Sequence, residues 1–355
     1  MVIHWKPVIV LFVTVASSIA VMASANGLPP PAPAQPAPAP TSAAIVHRSP
    51  PGGYAQPSRP LLAEPPGRHL TLYAESFAND ATTPSAWESG DDACLTAGTS
   101  ETPPTSVPAC GANAPQDPNG SGALQLTPPS EYVDGFVFLN MPLHTNRGLS
   151  VTFNFYSFDG GGEAGDGLAL VLTDGRKVLP SEPGGCCGSL DYAPYVNRGL
   201  NEYGLRNGYI AVALDESGVF SQDNEGRTGG IGGTGSITNL LAARGSVQTH
   251  DQYLLSTVNA QGKPASLPFP LAFPASQTRP APLTVNITLT RAAVLTVSID
   301  RNDGNGPKLW IHPTEIVGLI GQPILPTQVY LGFTAAAGQI QSRHQINDFV
   351  VTTTQ

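Results

Sequence analysis

Gly165-Asp166-Gly167-Leu168-Ala169-Leu170-Val171-Leu172 is the stretch on which the fold turns. A short polar turn carrying one carboxylate runs straight into a continuous apolar run. Two later segments share that character, Gly208-Tyr209-Ile210-Ala211-Val212-Ala213-Leu214-Asp215 and Val329-Tyr330-Leu331-Gly332-Phe333-Thr334-Ala335. Leu168 to Leu172 and Ile210 to Leu214 do not alternate, as expected of strands covered on both faces. Around them, period-2 alternation recurs. In Leu149 to Phe155 the apolar residues Leu149, Val151, Phe153 and Phe155 face one way, and Ser150, Thr152 and Asn154 the other. Leu283 to Leu289 and Leu295 to Ile299 repeat the pattern and read as a hairpin, followed by the turn-rich Asp300 to Gly304. Asp348 to Thr354 is the last strand. Helix signals are sparse; Ile237 to Arg244 is the one stretch that reads as a short helical turn. Many strands with turn-punctuated spacing predict an all-β, two-sheet antiparallel sandwich.

Composition agrees. The chain has 355 residues, only 12% of them charged, with 38 Gly and 36 Pro. Low charge suits an exported β-protein better than a helical cytosolic one. The net charge is −9, and the 17 Lys and Arg residues form no cluster. Nucleic acid is therefore excluded as a partner, because phosphate binding needs a basic patch. A neutral sugar is compatible with this balance.

The chain opens with His4 and Lys6, an apolar run from Val8 to Ala25 and an Ala23-Ser24-Ala25 end. This is the pattern of a signal peptide over 1–25, or of a signal anchor if uncleaved; only in the second case is a membrane a partner. Residues 26–66 are Pro/Ala-rich. Proline fixes φ and lacks an N–H, so this segment is expected to be a disordered, extended linker. Residues 67–355 form the sandwich domain. The expected location is secreted or cell-surface.

Four segments, in this order, resemble the L-type (legume-lectin-like) lectin domain, a concanavalin A-like jelly roll, in its bacterial form. They are Gly165 to Leu172; the glycine-rich Gly184-Gly185-Cys186-Cys187-Gly188-Ser189-Leu190-Asp191-Tyr192; Ile210 to Asp215; and Val329 to Ala335, followed by His344-Gln345-Ile346-Asn347-Asp348-Phe349. Glu75-Ser76-Phe77 and Gly122 to Thr127 look like the family's early strands. The resemblance implies a carbohydrate-binding module with glycans as partners. It implies that the Asp166 carboxylate accepts hydrogen bonds from sugar hydroxyls, the stronger, charge-assisted kind. A backbone N–H of the glycine loop would add another, with Gly185 and Gly188 matching that role. An aromatic ring would stack on the sugar, the candidates being Phe220, Tyr192 and Tyr195.

The metal loop departs from the family pattern. Ala213 stands where the family has Glu, and Val219 where it has Asn. Asp215, Asp223 and the Ser217 carbonyl remain for a weak Ca2+ site, against the six to eight oxygens calcium takes. The bland alternative is a solvated acidic loop.

Cys94, Cys110, Cys186 and Cys187 are an even set, which in an exported chain suggests disulfides. A local Cys94–Cys110 bridge leaves the adjacent Cys186 and Cys187 to pair. The alternative ties the two loops together. Zinc spacing of the C-x2-C type is absent. A hydrolase of this fold needs two carboxylates flanking the scissile bond, and no strand carries acids at i, i+2. G-x-S-x-G and H-E-x-x-H are absent, and His344 reads as structural. The chain therefore reads as a non-enzyme. Beside the lectin reading stands a non-binding structural or adhesion domain whose sugar site has decayed.

Overall fold

The computed structural model describes residues 69–355 except 84, 100–105, 112–115, 198 and 233–234. The signal segment 1–25 and the linker 26–66 lie outside the described residues. Among the described residues eighteen strands run in chain order. They are β1 (Thr71–Glu75), β2 (Trp87–Asp91), β3 (Cys94–Leu95), β4 (Leu124–Thr127), β5 (Val133–Leu139) and β6 (Leu143–His144). Next come β7 (Leu149–Phe158), β8 (Gly167–Asp174), β9 (Tyr195–Asn197), β10 (Leu200–Glu202), β11 (Gly208–Asp215) and β12 (Leu240–Arg244). The last are β13 (Tyr253–Ser256), β14 (Leu283–Leu289), β15 (Val294–Asp300), β16 (Lys308–Glu315), β17 (Gln328–Ala337) and β18 (Arg343–Thr352).

Sixteen of these strands form two eight-stranded antiparallel sheets. The first has the order β16-β15-β14-β7-β18-β4-β3 with β1 on β18; the second has β13-β12-β11-β8-β17-β5-β2 with β6 on β17. The predicted two-sheet sandwich is thus the observed one. The alternating strands belong to the first sheet. β7 pairs with β14 from Leu283↔Phe155 to Leu289↔Leu149, so one apolar stripe faces inward and the Ser, Thr and Asn stripe outward. The predicted β14–β15 hairpin also forms, in register Leu289↔Leu295.

The non-alternating strands lie in the second sheet, and their two apolar faces have different covers. Leu168, Leu170 and Leu172 of β8, with Ile210, Val212 and Leu214 of β11, join Val151, Phe153 and Phe155 in the main core between the sheets. Rings of Phe153 and Phe333 meet edge to face across it, with centroids 4.9 Å apart. Ala169, Val171, Ala211 and Ala213 point the other way, into a smaller core roofed by Leu190, Tyr192, Leu205 and Phe220. That roof comes from the glycine-rich loop (Leu190, Tyr192), the turn before β11 (Leu205) and the segment after β11 (Phe220). Small alanines on this outer face let loop backbone pack close to the sheet, which fixes the loops at the rim where β8 and β11 meet.

One expectation fails. Ile237 to Arg244 is not a helical turn: Leu240–Arg244 is strand β12, paired as Leu214↔Leu241 and Ala213↔Ala242. Without β12, β11 would have an open edge beside a buried apolar strand. Pairing and burial there outweigh the helix preference of Leu and Ala.

Candidate functional site

Asp166 ends the loop after β7 and Gly167 opens β8. Gly167 has φ +133°, and a Cβ on it would sit 2.2 Å from the Leu214 carbonyl. Only glycine lets β8 enter the sheet this close to β11. The turn is held by Glu216 N–H donating to the Asp166 carbonyl (3.1 Å). The Asp166 side chain is clamped on both oxygens. Ser217 Oγ donates to Oδ1 (3.1 Å) and Gly338 N–H to Oδ2 (2.7 Å). A carboxylate has about four acceptor positions; the clamp takes two and leaves two. Burial pushes the Asp166 pKa up, partly offset by the Gly338 and Ser217 bonds and by His344 and Arg227.

Asp166 lines a cavity of about 260 Å3. Its wall comes from three loops that sequence spacing does not connect: Cys187 and Gly188, Ser217 and Val219, and Gly338 to Ile340, with Tyr132, Tyr195, Asn197 and Glu225 at the sides. Asn197 Nδ2 donates to Glu225 Oε1 (2.6 Å). The buried Arg227 donates to Glu225 Oε2 (2.9 Å) and to Ser189 Oγ (2.7 Å), binding the glycine loop to this wall. The cavity therefore presents carboxylates, hydroxyls, an amide and a phenol, the groups that match a polyhydroxylated ligand.

Each expected site residue has a definite place. Gly188 lines the cavity beside Asp166, and a Cβ on it would press Val219 Cγ1 at 2.2 Å. Gly185 does not line it. Its N–H donates to Ala193 O (2.9 Å), and a Cβ there would strike Tyr195 N at 2.5 Å. It is a close-packing glycine of the loop, not a ligand contact. Phe220 is wholly buried in the smaller core with the Arg244 guanidinium 5.4 Å from its ring centroid, so it has no face to offer a sugar. Tyr192 is buried as well, its hydroxyl donating to Gly245 O (2.7 Å). Of the three ring candidates only Tyr195 reaches the cavity, joined by the exposed Tyr132, which spacing missed. Cys94 and Cys110 are bonded; Cys186 and Cys187 are two thiols with sulfurs 2.8 Å apart. The cross-loop pairing is thereby ruled out, and the expected disulfide at 186–187 is not formed. The Cys186 thiol pKa is pushed up by its Cys187 contact and by burial.

The expected metal residues, Asp215, Ser217 and Asp223, are not gathered around one point, and each has its own surroundings. Asp215 is fully buried, and its Oδ2 accepts from Ser221 N–H (2.9 Å) and Ser221 Oγ (2.6 Å). Its Oδ1 has no partner, and burial pushes its pKa up to about 7. Asp223 is exposed, and Ser217 serves Asp166. The loop carbonyls that could serve a hard cation are committed to Arg244, a wholly buried side chain of β12. Its Nε donates to Phe220 O (2.7 Å), Nη1 to Thr228 O (2.9 Å) and Asp251 O (3.0 Å), and Nη2 to Gln222 O (2.7 Å). Burial lowers its pKa to about 10, so it stays charged at neutral pH. A calcium ion would have to displace a fixed positive charge to reach those oxygens. Among the described residues no group of three or more His, Cys, Asp or Glu is gathered as metal ligands.

No family model matches the chain, and no curated protein matches it. Solved structures do. The exoplasmic/lumenal domain of VIP36, in its Ca2+/Man2-bound form, is 16% identical, with 76% of this chain and 81% of that chain covered and a TM-score of 0.45. The carbohydrate recognition domain of Emp47p is 14% identical over 80% of this chain and 97% of that one, TM-score 0.47. Lectin I-B4 from Griffonia simplicifolia, metal-free, is 15% identical over 80% and 100%, TM-score 0.46. The chain's own strand pairing makes it a two-sheet antiparallel sandwich. The likeness extends to the fold alone; the site rests on its own geometry. Among the described residues no helix is long and apolar enough to cross a membrane.

Proposed function

We propose that this domain is an exported, lectin-like carbohydrate-binding module that takes a sugar ring in the Asp166 cavity and performs no chemistry on it. The observation that carries this reading is the clamped carboxylate. Ser217 and Gly338 fix Asp166 at the rim of a 260 Å3 concavity while two acceptor positions stay unused. Sugar hydroxyls are the donors that match such a preset acceptor, and charge-assisted bonds contribute roughly 1.5–3 kcal/mol each. The Cys94–Cys110 bridge supports an exported chain. Because Arg244 takes the loop carbonyls, the reading requires no calcium.

The test is a glycan array on the full chain, repeated with Asp166→Ala and with chelator. Binding by the native chain that survives chelator and disappears in Asp166→Ala supports the reading. Unchanged binding in Asp166→Ala overturns the site. Silence of the folded native chain across the array favours the scaffold reading, for which the protein's own hold on both Asp166 oxygens speaks.

A further inference from the structure

Cys186 and Cys187 are adjacent thiols at the wall of the Asp166 cavity, and nothing in sugar binding calls on their sulfurs. Those sulfurs lie 2.8 Å apart. An S–S bond is about 2.05 Å long, so less than about 1 Å of approach closes a bridge between them. Cys186 is partly exposed and Cys187 buried. One sulfur is therefore open to a reagent from solvent, and the other waits behind it.

The pair sits where a small movement is felt at the carboxylate. Gly338 lies between Cys187 and Asp166: a Cβ built on it would be 3.6 Å from Cys187 Cβ and 2.9 Å from Asp166 Oδ2. The N–H of that same Gly338 is half of the Asp166 clamp. On the other side, Tyr195 lines the cavity with its hydroxyl in hydrogen-bond contact with the Cys187 sulfur. Downstream, the Cys186 and Cys187 carbonyls accept from Ser189 N–H (3.0 Å) and Leu190 N–H (2.9 Å), so the turn that presents Gly188 hangs on both cysteine backbones. Cys187 holds φ +57°, a left-handed conformation that glycine adopts without steric cost. The loop has glycine at 184, 185 and 188, yet it carries a side chain at this position, where the sulfur gained meets Cys186.

The surroundings favour sulfur without charge. Contact with Cys187 first, and then burial, push the Cys186 thiol pKa up, with Glu202 and Asp191 adding to the shift. Glu202 is fixed beside it by accepting the Cys186 N–H (2.9 Å), and Asp191 is buried with neither oxygen hydrogen-bonded. A dithiol and a disulfide are both neutral and fit this site, whereas a thiolate exists there only in passing. A bridge between neighbours joins Cα atoms about 3.8 Å apart, under the usual minimum of about 4.4 Å, and strain of this kind makes a disulfide easier to reduce. Cys94 and Cys110, with Cα atoms 4.8 Å apart, escape that constraint.

We propose that Cys186 and Cys187 are a reversible thiol–disulfide exchange site that takes small disulfides of the glutathione class, and that its redox state sets the shape of the Asp166 cavity. The Cys186 thiol gives up its proton, and its sulfur attacks one sulfur of the incoming disulfide. That S–S bond breaks, and one thiol leaves with a proton. The Cys187 sulfur, losing its own proton, then attacks Cys186 Sγ; the mixed S–S bond breaks and the second thiol leaves. The pair loses two electrons and two protons, and the reagent gains both. The structure shows the reduced end point. Closing the ring draws the Cys187 sulfur toward Cys186, removes its S–H from Tyr195 and shifts the backbone beside Gly338.

The test equilibrates the full chain in a series of reduced and oxidised glutathione buffers, quenches by alkylation and reads each cysteine by mass spectrometry after digestion. Isotope-labelled protein from the two ends of the series gives amide spectra. Cys186 and Cys187 should lose alkylation together, in one two-electron transition, and regain it in reduced glutathione while Cys94–Cys110 stays bridged. Exchange should quicken as pH rises, because the thiolate is the attacking form. The amides of Gly188 and Gly338 should shift between the end states, and that of Val297, in the other sheet, should not. In Cys187→Ser a single glutathione held at Cys186 should replace the transition. Cysteines that stay open to alkylation in the most oxidising buffer, that each hold a separate glutathione, or that link two chains overturn the exchange site. A bridge that resists reduction as firmly as Cys94–Cys110 overturns its reversibility. A bridge that forms while the Gly188 and Gly338 amides stay in place overturns the link to the cavity. Every readout is taken without glycan, so none of these outcomes turns on what the cavity binds.

Discussion

Asp215→Asn should remove one pH-dependent contribution to stability. Asp215 is fully buried behind the Asp166 turn, opposite Gly167 in the sheet. Burial raises its pKa from 3.8 to about 7, the Ser221 bonds opposing and Asp166 adding to the shift. A carboxyl whose folded pKa lies above its unfolded one stabilises the fold below the unfolded value. That contribution is lost as pH rises through the folded value. Three pKa units correspond to about 4 kcal/mol, of which about 3 kcal/mol falls between roughly pH 5 and pH 8. The asparagine amide keeps an oxygen for Ser221 and carries no titrating proton. Chemical denaturation of both proteins across that range measures the difference directly. The stability of Asp215→Asn relative to the native chain should climb by about 3 kcal/mol on going from about pH 5 to pH 8. A difference that stays flat across pH, or moves the other way, refutes the assignment of a neutral carboxyl at this position. Asp251, also raised to about 7 by burial, adds a slope common to both proteins and cancels in the comparison.

Other consequences follow from the same geometry. The Asp166 pKa is raised, so glycan binding through its anion should fade on acidification while pH is still above the usual carboxylate range. Asp166→Asn should bind weakly at every pH, and an unaltered pH profile in that variant would count against the anion as acceptor. Calcium and chelator should each leave the melting temperature and the glycan titration unchanged, because Arg244 occupies the loop carbonyls; a calcium-induced rise in melting temperature would refute this. Arg244→Gln should cost more than about 3 kcal/mol in chemical denaturation, since several buried carbonyls lose their donor together. Cys94→Ser should cost about 3 kcal/mol by opening a loop with a sequence separation of 16, and an unchanged denaturation midpoint would show that the bridge does not constrain the chain.

The fold was legible because its signal is periodic. Alternation in Leu149–Phe155 and Leu283–Leu289 marks strands with one wet face, and its loss in Leu168–Leu172 and Ile210–Leu214 marks strands with two dry ones. The second cover came from irregular loops, whose packing leaves no period. Leu240 to Ala243 were misread because a short apolar run carries no information about which edge it will join. Asp166 and Gly188 lie on separate loops and line one cavity. Gly185 and Phe220 do not line it. Two residues separate Gly185 from Gly188, yet the first faces the protein and the second the cavity, because the chain turns between them through Cys187 at φ +57°. Tyr132, Asn197, Glu225 and Gln339 were missed because nothing in their own segments announces that those segments converge.

Arg244 carried a signal of a different kind. A single guanidinium closing the apolar run Leu240-Leu241-Ala242-Ala243 has to be paired if the run is buried, because an uncompensated buried charge costs several kcal/mol. The partners it finds are the backbone carbonyls of Phe220, Gln222, Thr228 and Asp251. Ala213 and Val219 bring no side-chain oxygen to this loop, and Arg244, on the neighbouring strand, brings a cation whose donors take its carbonyls. The loop keeps a positive charge, covalently attached, at the Phe220 and Gln222 carbonyls, a few residues after the Ser217 that clamps Asp166. On this argument Arg244→Lys, which retains charge but not the planar fork of donors, should hold the domain folded and yet loosen residues 220–230, lowering glycan affinity more than stability. Equal losses in both would make Arg244 a core residue and nothing more.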